Sequence, residues 1–305
     1  MWLILAFCSA ALLGFYDVFK KLALSGNAVL PVLFLNTMIC SLLFLPFILL
    51  SSCTNMLDGS MFYVEQCGWE QHKYILLKAC IVLSSWVFGY FAMKNLPITI
   101  VGPINATRPV MVLVGAMLVF GERLNVWQWC GVLLAIISFF LLSRSGKKEG
   151  VDFRHNKWIY FLVLAAVLGA VSGLYDKYLM ASPDNGGVGL SRMVVQSWYN
   201  IYQLFLMGVT MLLIWWPTRK KITAFTWRWS ILFISLFLSA ADFVYFYALS
   251  LPEAMISIVS MVRRGSVVVS FCCGAAVFKE RNLKSKAIDM LLVLLGMIFL
   301  YIGTR

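Results

Sequence analysis

The octapeptide YFAMKNLP, at residues 90–97, returns as YFYALSLP at residues 245–252, with Tyr, Phe, Leu and Pro at matching positions. The copies are 155 residues apart, which is about half of the 305-residue chain. Two further pairs of short matches follow at nearly the same separation: GFYD at 14–17 with GLYD at 173–176, and FGERL at 120–124 with FKERN at 278–282. Repetition at this separation indicates that the chain consists of two similar halves.

The composition is that of a membrane protein. Of all residues, 62% are apolar and only 12% are charged, whereas about a quarter are charged in an ordinary soluble domain. Runs of roughly 18 to 25 mostly apolar residues, the length that crosses a hydrocarbon core as a helix, recur along the chain. They predict ten transmembrane helices, at about 2–22, 28–50, 74–94, 97–120, 125–143, 158–179, 191–216, 229–249, 253–278 and 286–303.

Each half contains five of these predicted helices, and five is an odd number. The second half must therefore enter the membrane from the opposite side, which makes the repeats inverted. We expect an all-α integral membrane protein of ten transmembrane helices, arranged as two inverted five-helix repeats at residues 1–146 and 158–305 and joined by a basic loop at 147–157. Inverted repeats are a recurring plan of secondary transporters, which hold their substrate near the membrane midplane where the halves meet.

The net charge of +12 is spread over short loops, which favours a role in membrane orientation over nucleic-acid binding. Loops after odd-numbered helices hold sixteen Lys and Arg residues, Lys20 among them, and the opposite side holds six, Lys78 among them. The positive-inside rule then predicts a multi-pass protein of the inner (plasma) membrane, with both termini outside. No basic segment precedes Leu3, so we interpret the first run as a retained helix rather than a cleaved signal peptide.

The longest loop, at about 51–73, is outside in this orientation and carries Cys53 and Cys67. An oxidising compartment permits a disulfide between them, and two unpaired thiols are an equal alternative. The other six cysteines are interpreted as small apolar residues of the spans.

Three features recur in register in the two halves. They are five predicted helices, a Leu-Pro pair that begins helices 4 and 9, and the GER and KER turns at 121–123 and 279–281. In these features nearly the whole chain resembles the EamA-type proteins of the drug/metabolite transporter superfamily. The resemblance implies a transporter of small metabolites with a central cavity, and it leaves open amino acids, sugars, organic cations and phosphorylated or nucleotide-linked compounds. Larger members of that superfamily are usually drawn with both termini cytoplasmic, unlike the orientation that the charges predict here.

Three arginines lie deep within predicted helices. Arg108 and Arg263 each follow a Leu-Pro pair by eleven residues, so they are repeat partners, and Arg264 is adjacent. An unpaired Arg at the bilayer centre costs about 2.5 to 3.5 kcal/mol on insertion scales. One alternative is an ion pair with Asp242, the acid at comparable depth in helix 8; the other is an anionic ligand in a water-filled cavity, which the planar guanidinium fork suits. A single carboxylate does not neutralise three guanidinium groups, which favours the ligand.

Aromatic side chains accompany the arginines. Trp86 and Tyr90 are one turn apart in helix 3, and Tyr245, the repeat partner of Tyr90, is three residues after Asp242. These rings predict the lining of a substrate cavity, and simple packing or lipid contact is the alternative.

Polar side chains are also present within the spans. Asn105 precedes Arg108 by about one turn, and helix 7 carries Gln196, Asn200 and Gln203 at positions i, i+4 and i+7. Such a stripe must face away from lipid. It lines a cavity or forms hydrogen bonds to a neighbouring helix.

The repeated acids Asp17 and Asp176 lie near the ends of their helices, on opposite sides of the membrane in an inverted repeat. Two roles are open for them. Either they are gate contacts, or they are balanced locally, Asp17 by Lys20 or Lys21 and Asp176 by Lys177.

Catalytic patterns are absent from the sequence. His72 and His155 lie in predicted loops without a metal-like spacing to acids or cysteines. The glycines at 186, 187 and 189 lack the Lys-Ser/Thr that follows in a phosphate-binding loop. Neither an enzyme nor a cofactor is therefore expected.

We expect a secondary transporter that moves a small organic anion or zwitterion, of the amino-acid or phosphorylated-metabolite class, by alternating access. Arg108, Arg263 and Arg264 are expected to bind the negative group, and Asp242 to take a coupling proton or a substrate ammonium. The other expected site residues are Trp86, Tyr90, Tyr245, Asn105, Gln196 and Asn200. The expected partners are the substrate and membrane lipid, and the alternative function is a lipid flippase or an accessory membrane subunit with the same fold.

Overall fold

The computed structural model of the protein describes residues 2–112, 114, 125–147, 153–180, 182–183, 186–220, 223–249, 251, 259, 262–278 and 283–303. Within these ranges the chain is helical without a strand, which confirms the all-α class. The helices are α1 (Trp2–Leu24), α2 (Val29–Cys53), α3 (Trp69–Asn95), α4 (Ile98–Ala106), α5 (Val126–Lys147), α6 (Lys157–Met180), α7 (Arg192–Thr210), α8 (Ser230–Leu249), α9 (Ser266–Val277) and α10 (Leu283–Gly303).

Six of these ten helices are long and apolar enough to cross a membrane. They are α1, α2, α3, α6, α8, and α7 together with its continuation to Thr218 through a π-helical turn at Met211–Trp215. Helices α5 and α10 contain shorter apolar stretches. The chain is therefore a multi-pass membrane protein, as its composition predicts.

The helices pack in pairs that join the first five to the last five. Helix α1 packs on α8, α2 on α7, α3 on α6, α4 on α9 and α5 on α10. The largest apolar cluster lies among α1 to α4 and their partners, with Leu24, Leu33, Met93 and Ile100 fully buried. Because lipid chains are as apolar as these residues, close packing of the helices contributes more to their association than water exclusion does.

Glycines allow the closest helix contacts. A Cβ added to Gly14 of α1 would lie 2.5 Å from the Cβ of Val269, and one added to Gly102 of α4 would lie 2.6 Å from Cγ2 of Val267. Both valines belong to α9, so this helix depends on small residues in two neighbours.

We expect Gly14→Ala to lower the free energy of unfolding by about 1 to 3 kcal/mol, because the added methyl group must push α1 and α9 apart. The measurement is the melting temperature of the purified protein in detergent. Gly173→Ala in α6 is the matched control, since its added Cβ would meet no heavy atom within 4 Å. Equal melting temperatures of the two variants would contradict the close approach of α1 and α9.

The two helices that carry the arginines are broken at the arginines. Helix α4 ends at Ala106, residue Thr107 forms a turn, and the chain is helical again at 108–112. In the second half, residues 262–264 are helical, Gly265 forms a turn and α9 follows. The prediction of continuous helices at 97–120 and 253–278 is therefore wrong at these turns.

The sequence contains the physical reasons for both breaks. Pro109 has no backbone N–H to donate, and Gly265 has the weakest helix propensity of the residues other than proline. The Thr107 hydroxyl donates a hydrogen bond to the carbonyl oxygen of Ile104, at 2.7 Å, which satisfies one acceptor at the broken end. The predicted GER and KER turns at 121–123 and 279–281 lie outside the described residues.

Two lysines that the charge count treats as loop residues lie inside the bundle. Lys20 in α1 is 7% exposed, and Lys78 in α3 is 3% exposed. Their assignment to loops is wrong. Lys20 pairs with Asp17 and Lys78 pairs with Asp176, and each ion pair offsets part of the cost of removing the lysine from water. Without these two lysines, the loops after odd-numbered helices hold fifteen basic residues and the opposite side holds five. The predicted orientation is unchanged.

The loop between α2 and α3 is shorter than predicted, because α2 extends to Cys53 and α3 begins at Trp69. Phe62 in this loop stacks between Phe47 and Phe243, with ring centres 5.2 and 5.3 Å away. The thiols of Cys53 and Cys67 are both free. Of the two alternatives, a disulfide or two unpaired thiols, the structure therefore shows two unpaired thiols.

Candidate functional site: an arginine cluster at two helix breaks

The three arginines predicted from the sequence lie beside the two helix breaks. Arg108 follows the turn at Thr107, and Arg263 and Arg264 precede the turn at Gly265. All three are half-buried within the bundle. Transporters build binding sites at such breaks, because irregular backbone at membrane depth is tolerated only against protein or a water-filled cavity.

Arg263 forms an ion pair with Asp242 of α8. The second carboxylate oxygen of Asp242 accepts a hydrogen bond from the hydroxyl of Tyr199 in α7, at 3.1 Å. The guanidinium carbon of Arg263 lies 4.2 Å from the ring centre of Tyr245. Because Asp242 is only 9% exposed, the two charges are largely desolvated and depend on each other. The ion-pair alternative is therefore confirmed for Arg263.

Arg108 and Arg264 form no ion pair among the residues that the structure describes. The guanidinium of Arg108 packs against α6, where a Cβ added to Gly169 would lie 2.7 Å from the guanidinium carbon. Its Nε is buried without a hydrogen-bond partner in the described part of the chain. Arg264 lies within electrostatic range of Arg108 and of Arg263. Two positive charges are thus held near each other, neither with a carboxylate of its own.

A second ion pair, in α1, borders the arginines. Nζ of Lys20 lies 2.6 Å from Oδ1 of Asp17, so local balance of Asp17 by Lys20 is confirmed. The same Nζ lies 4.3 Å from the ring centre of Tyr16 and 5.5 Å from that of Tyr90. Asp17 is within electrostatic range of Arg108. The pair therefore belongs to the same charged cluster.

Asp176 of α6 pairs with Lys78 of α3. The side chain of Lys177, the partner expected for Asp176, lies outside the described residues, so that pairing stays a prediction. Nζ of Lys78 also lies 5.2 Å from the ring centre of Tyr199, whose hydroxyl binds Asp242. Tyr199 therefore connects this buried ion pair to the arginine cluster.

A comparison with known families finds a match in the first half of the chain. The family model described as the EamA-like transporter family matches residues 1–144. Over these residues the chain is similar to the EamA-like transporter family. That family is part of the drug/metabolite transporter superfamily, so the resemblance drawn from the sequence motifs is confirmed.

Solved structures extend the likeness in fold beyond the EamA-like segment. Among 27 matching chains, one crystal structure superimposes with a TM-score of 0.60 over 95% of this chain and 97% of its own length, at 16% sequence identity. At this identity the likeness concerns the fold alone. A search of curated proteins finds no match.

The EamA-like segment supplies only part of the charged cluster. Asp17, Lys20 and Arg108 lie in it, whereas Asp242 and the two later arginines follow residue 158. The cluster therefore requires both halves of the chain.

EamA-like transporters are generally non-enzymatic. The described residues also contain no group of three His, Cys, Asp or Glu side chains suited to a metal ion.

The polar stripe of α7 is buried, as its sequence predicts. Gln196, Asn200 and Gln203 are exposed by 1%, 3% and 0%. The Asn200 amide donates to the carbonyl oxygen of Gln196, at 2.8 Å, and the carbonyl of Asn200 accepts from Ser41 of α2, at 2.7 Å. The side-chain amides of Gln196 and Gln203, like Oδ1 of Asn105, have no hydrogen-bond partner among the described residues. This hydrogen bond between α2 and α7 therefore joins a side-chain hydroxyl to a backbone carbonyl, and the side-chain amides of the stripe take no part in it.

Two residues connected to the cluster, Tyr199 and Lys78, are not among the site residues predicted from the sequence. Tyr199 is three residues after Gln196 and four before Gln203, so the stripe itself places it on the same helix face. Lys78 is four residues inside the predicted span at 74–94. Trp86, an expected site residue, packs against the largest apolar cluster, and Tyr90 lies within that cluster.

Proposed function

We propose that this EamA-like chain is a secondary transporter of a small organic anion or zwitterion, of the amino-acid or phosphorylated-metabolite class. The observation that carries the proposal is the pair Arg108 and Arg264, held inside an apolar bundle without a carboxylate of their own among the described residues. Each unpaired Arg at the membrane centre costs about 2.5 to 3.5 kcal/mol on insertion scales. A bound anion offsets that cost through charge-assisted hydrogen bonds.

Helix packing supports inverted repeats at residues 1–146 and 158–305, with 147–157 as the linker. If every helix is exchanged for the one five places away, the pair α1–α8 becomes α6–α3, which is also a packed pair. The pairs α2–α7, α4–α9 and α5–α10 each map onto themselves. A pseudo-two-fold axis between the halves predicts this pattern, and the substrate site of such transporters lies on it.

The residues of the proposed site have different roles in binding the substrate. Arg108 and Arg264 bind the negative group, and Arg263 joins them when its ion pair with Asp242 opens. The remaining side chains contact the body of the substrate: Trp86, Tyr90, Tyr245, Asn105, Gln196 and Asn200. Aromatic faces and amides of this kind commonly orient small ligands in largely apolar pockets.

Alternating access requires contacts between the halves that close at one side and open at the other. Two contacts of this kind are present: Lys78 with Asp176, and Asp17 with Ser270 of α9, whose Oγ lies 3.5 Å from the carboxylate. In the orientation that the loop charges predict, the first lies toward the outside and the second toward the cytoplasm. We propose that they open alternately as one half rocks against the other.

Asp242 is the proposed site of proton coupling. Its carboxylate holds Arg263 and accepts from Tyr199, so protonation of Asp242 would end the ion pair and release the guanidinium for the substrate. The repeat counterpart of Asp242 is Val87, so only one half has this group. A proton and a substrate anion would then enter the same site together.

We expect the protein in the inner (plasma) membrane with its C-terminus outside. An alkaline phosphatase fused after Arg305 is expected to be active, and a fluorescent protein that matures only in the cytoplasm is expected to be dark, because the basic loops remain inside. The opposite pattern for both reporters would overturn the orientation derived from the charges.

A thermal-shift screen of the purified protein against metabolite classes tests the proposed function. A ligand that binds only the folded state at 100 times its Kd adds about 2.7 kcal/mol to the stability. We expect acidic metabolites to raise the melting temperature of the wild type and of Arg219→Gln, a control at an exposed arginine that stacks on Trp216. Arg108→Gln is expected to melt as the wild type does and to lose the ligand effect. Stabilisation by phospholipid alone would instead indicate the flippase.

A further inference from the structure

The charges within the cluster do not cancel. Its described members are four cations and two carboxylates, and each lies within electrostatic range of at least one other member: Lys20, Arg108, Arg263, Arg264, Asp17 and Asp242. Lys20 pairs with Asp17, and Arg263 pairs with Asp242. The remaining charge, about +2, is that of Arg108 and Arg264.

Neither carboxylate of the cluster is free for a substrate ammonium. Asp17 lies 2.6 Å from Lys20. Asp242 binds both Arg263 and the hydroxyl of Tyr199. An ammonium group entering beside Arg108 and Arg264 would meet two like charges instead, and like charges at close range in a protein interior repel. The cluster is thus poorly suited to a zwitterion.

The two remaining arginines come from different halves of the chain. Arg108 follows α4 and its guanidinium packs on Gly169 of α6, whereas Arg264 directly precedes the turn before α9. A ligand with one negative charge neutralises only one of them. A ligand with two negative charges neutralises both and connects the two halves.

We infer that the ligand of this site is an organic dianion, a dicarboxylate or a phosphate monoester, bound between Arg108 and Arg264. The inference rests on the proposed anion-binding function and narrows its substrate class. Both ligand types present oxygen pairs that match the guanidinium fork. A phosphate monoester carries its second charge only above a pKa of about 6, whereas a dicarboxylate is already doubly charged there.

Matched ligands of equal length but different charge test the inference at pH 8. One series is succinate, its monoamide succinamate and γ-aminobutyrate, with charges of about −2, −1 and 0 by their ordinary ionisation. The other is ethyl phosphate against diethyl phosphate. We expect the dianion of at least one series to bind the wild type on the order of 10-fold or more tightly than its partners. Lowering the pH to 5.5 removes the second charge from most of the phosphate ester but from a smaller share of the dicarboxylate, so the larger loss of affinity identifies the phosphate ester.

Variants assign the two charges to residues. Arg264→Gln is expected to weaken dianion binding on the order of 10- to 100-fold, the loss of one charge-assisted contact, and to weaken monoanion binding less. The preference for the dianion is then nearly lost. Arg264→Lys keeps the charge and is expected to keep the preference at lower affinity. Arg219→Gln is the matched control, since it removes an exposed arginine.

The outcomes separate this inference from the proposed function. If succinamate or γ-aminobutyrate binds as tightly as succinate, and Arg108→Gln removes that binding, the dianion inference is wrong and the anion site stands. If no dianion, including inorganic phosphate and sulfate, binds the wild type, the inference is also wrong. If every ligand binds Arg108→Gln and Arg264→Gln as well as the wild type, both the inference and the proposed site are wrong.

Discussion

Arg263→Gln is expected to lower the free energy of unfolding by about 3 to 5 kcal/mol, because it leaves the carboxylate of Asp242 buried without its partner. Arg108→Gln and Arg264→Gln are expected to leave the stability nearly unchanged or slightly raised. Each of these removes a charge that has no carboxylate of its own among the described residues and is costly at membrane depth. The measurement is thermal melting of the three purified variants in one detergent.

The double variant Arg263→Gln/Asp242→Asn is the control for this prediction. It removes both charges, so we expect it to regain most of the stability lost by Arg263→Gln alone. Tyr199 retains an oxygen acceptor on the new Asn side chain, so its hydroxyl need not be left unpaired. Similar melting temperatures for all three single arginine variants would contradict the prediction, because the ion pair with Asp242 would then add no stability at Arg263.

Lys78→Met is expected to produce an equally large loss, about 3 to 5 kcal/mol, because Asp176 then lacks its cation at a contact between α3 and α6. Since this contact joins the two halves on the proposed outer side, we also expect transport to be lost. The matched control is Lys73→Met, five residues earlier in α3. Lys73 pairs with Glu70 at 2.5 Å, but the two side chains are 53% and 78% exposed.

An exposed pair of that kind contributes about 0 to 1 kcal/mol, so Lys73→Met is expected to melt almost as the wild type does. The double variant Lys78→Met/Asp176→Leu replaces the buried charges by apolar groups and is expected to recover stability but not transport. Recovery of transport together with stability would mean that the contact serves the fold alone and is not a gate.

Much of the fold follows from the sequence because a membrane helix is specified by its own length and composition. The predicted ends of α1, α6 and α8 lie within about two residues of the observed ends. The sequence also contains residues that favour the helix breaks at Thr107 and Gly265, namely Pro109 and Gly265 itself. They were missed because an apolar run of sufficient length was interpreted as one continuous helix.

The different roles of the arginines could in part be predicted. Arg108 and Arg263 are repeat partners, but Asp242 has Val87 as its counterpart, so the symmetric position beside Arg108 offers no acid. This asymmetry indicates that Asp242 serves the second half. Arg263 therefore has the ion pair that was one of the two alternatives, and ligand binding by the three arginines remains a proposal.

The pairing of Lys78 with Asp176 could not be predicted. These residues are 98 positions apart, and only the packing of α3 on α6 brings them together. Local sequence offered Lys177 as a nearer partner for Asp176. The connection through Tyr199 depends on tertiary packing as well, because Lys78, Tyr199 and Asp242 come from three different helices.

Uptake into proteoliposomes tests whether Arg108 and Arg264 bind the transported substrate. The radiolabelled substrate is the acidic metabolite that stabilises the wild type most in the thermal-shift screen, and the proteins are the wild type, Arg108→Gln, Arg264→Gln and the control Arg219→Gln. We expect saturable uptake by the wild type and the control, and a loss of about 10-fold or more in Arg108→Gln and Arg264→Gln, although these melt as the wild type does. Undiminished uptake by Arg108→Gln and Arg264→Gln would contradict substrate binding by these arginines, because the substrate would then be carried without either of them.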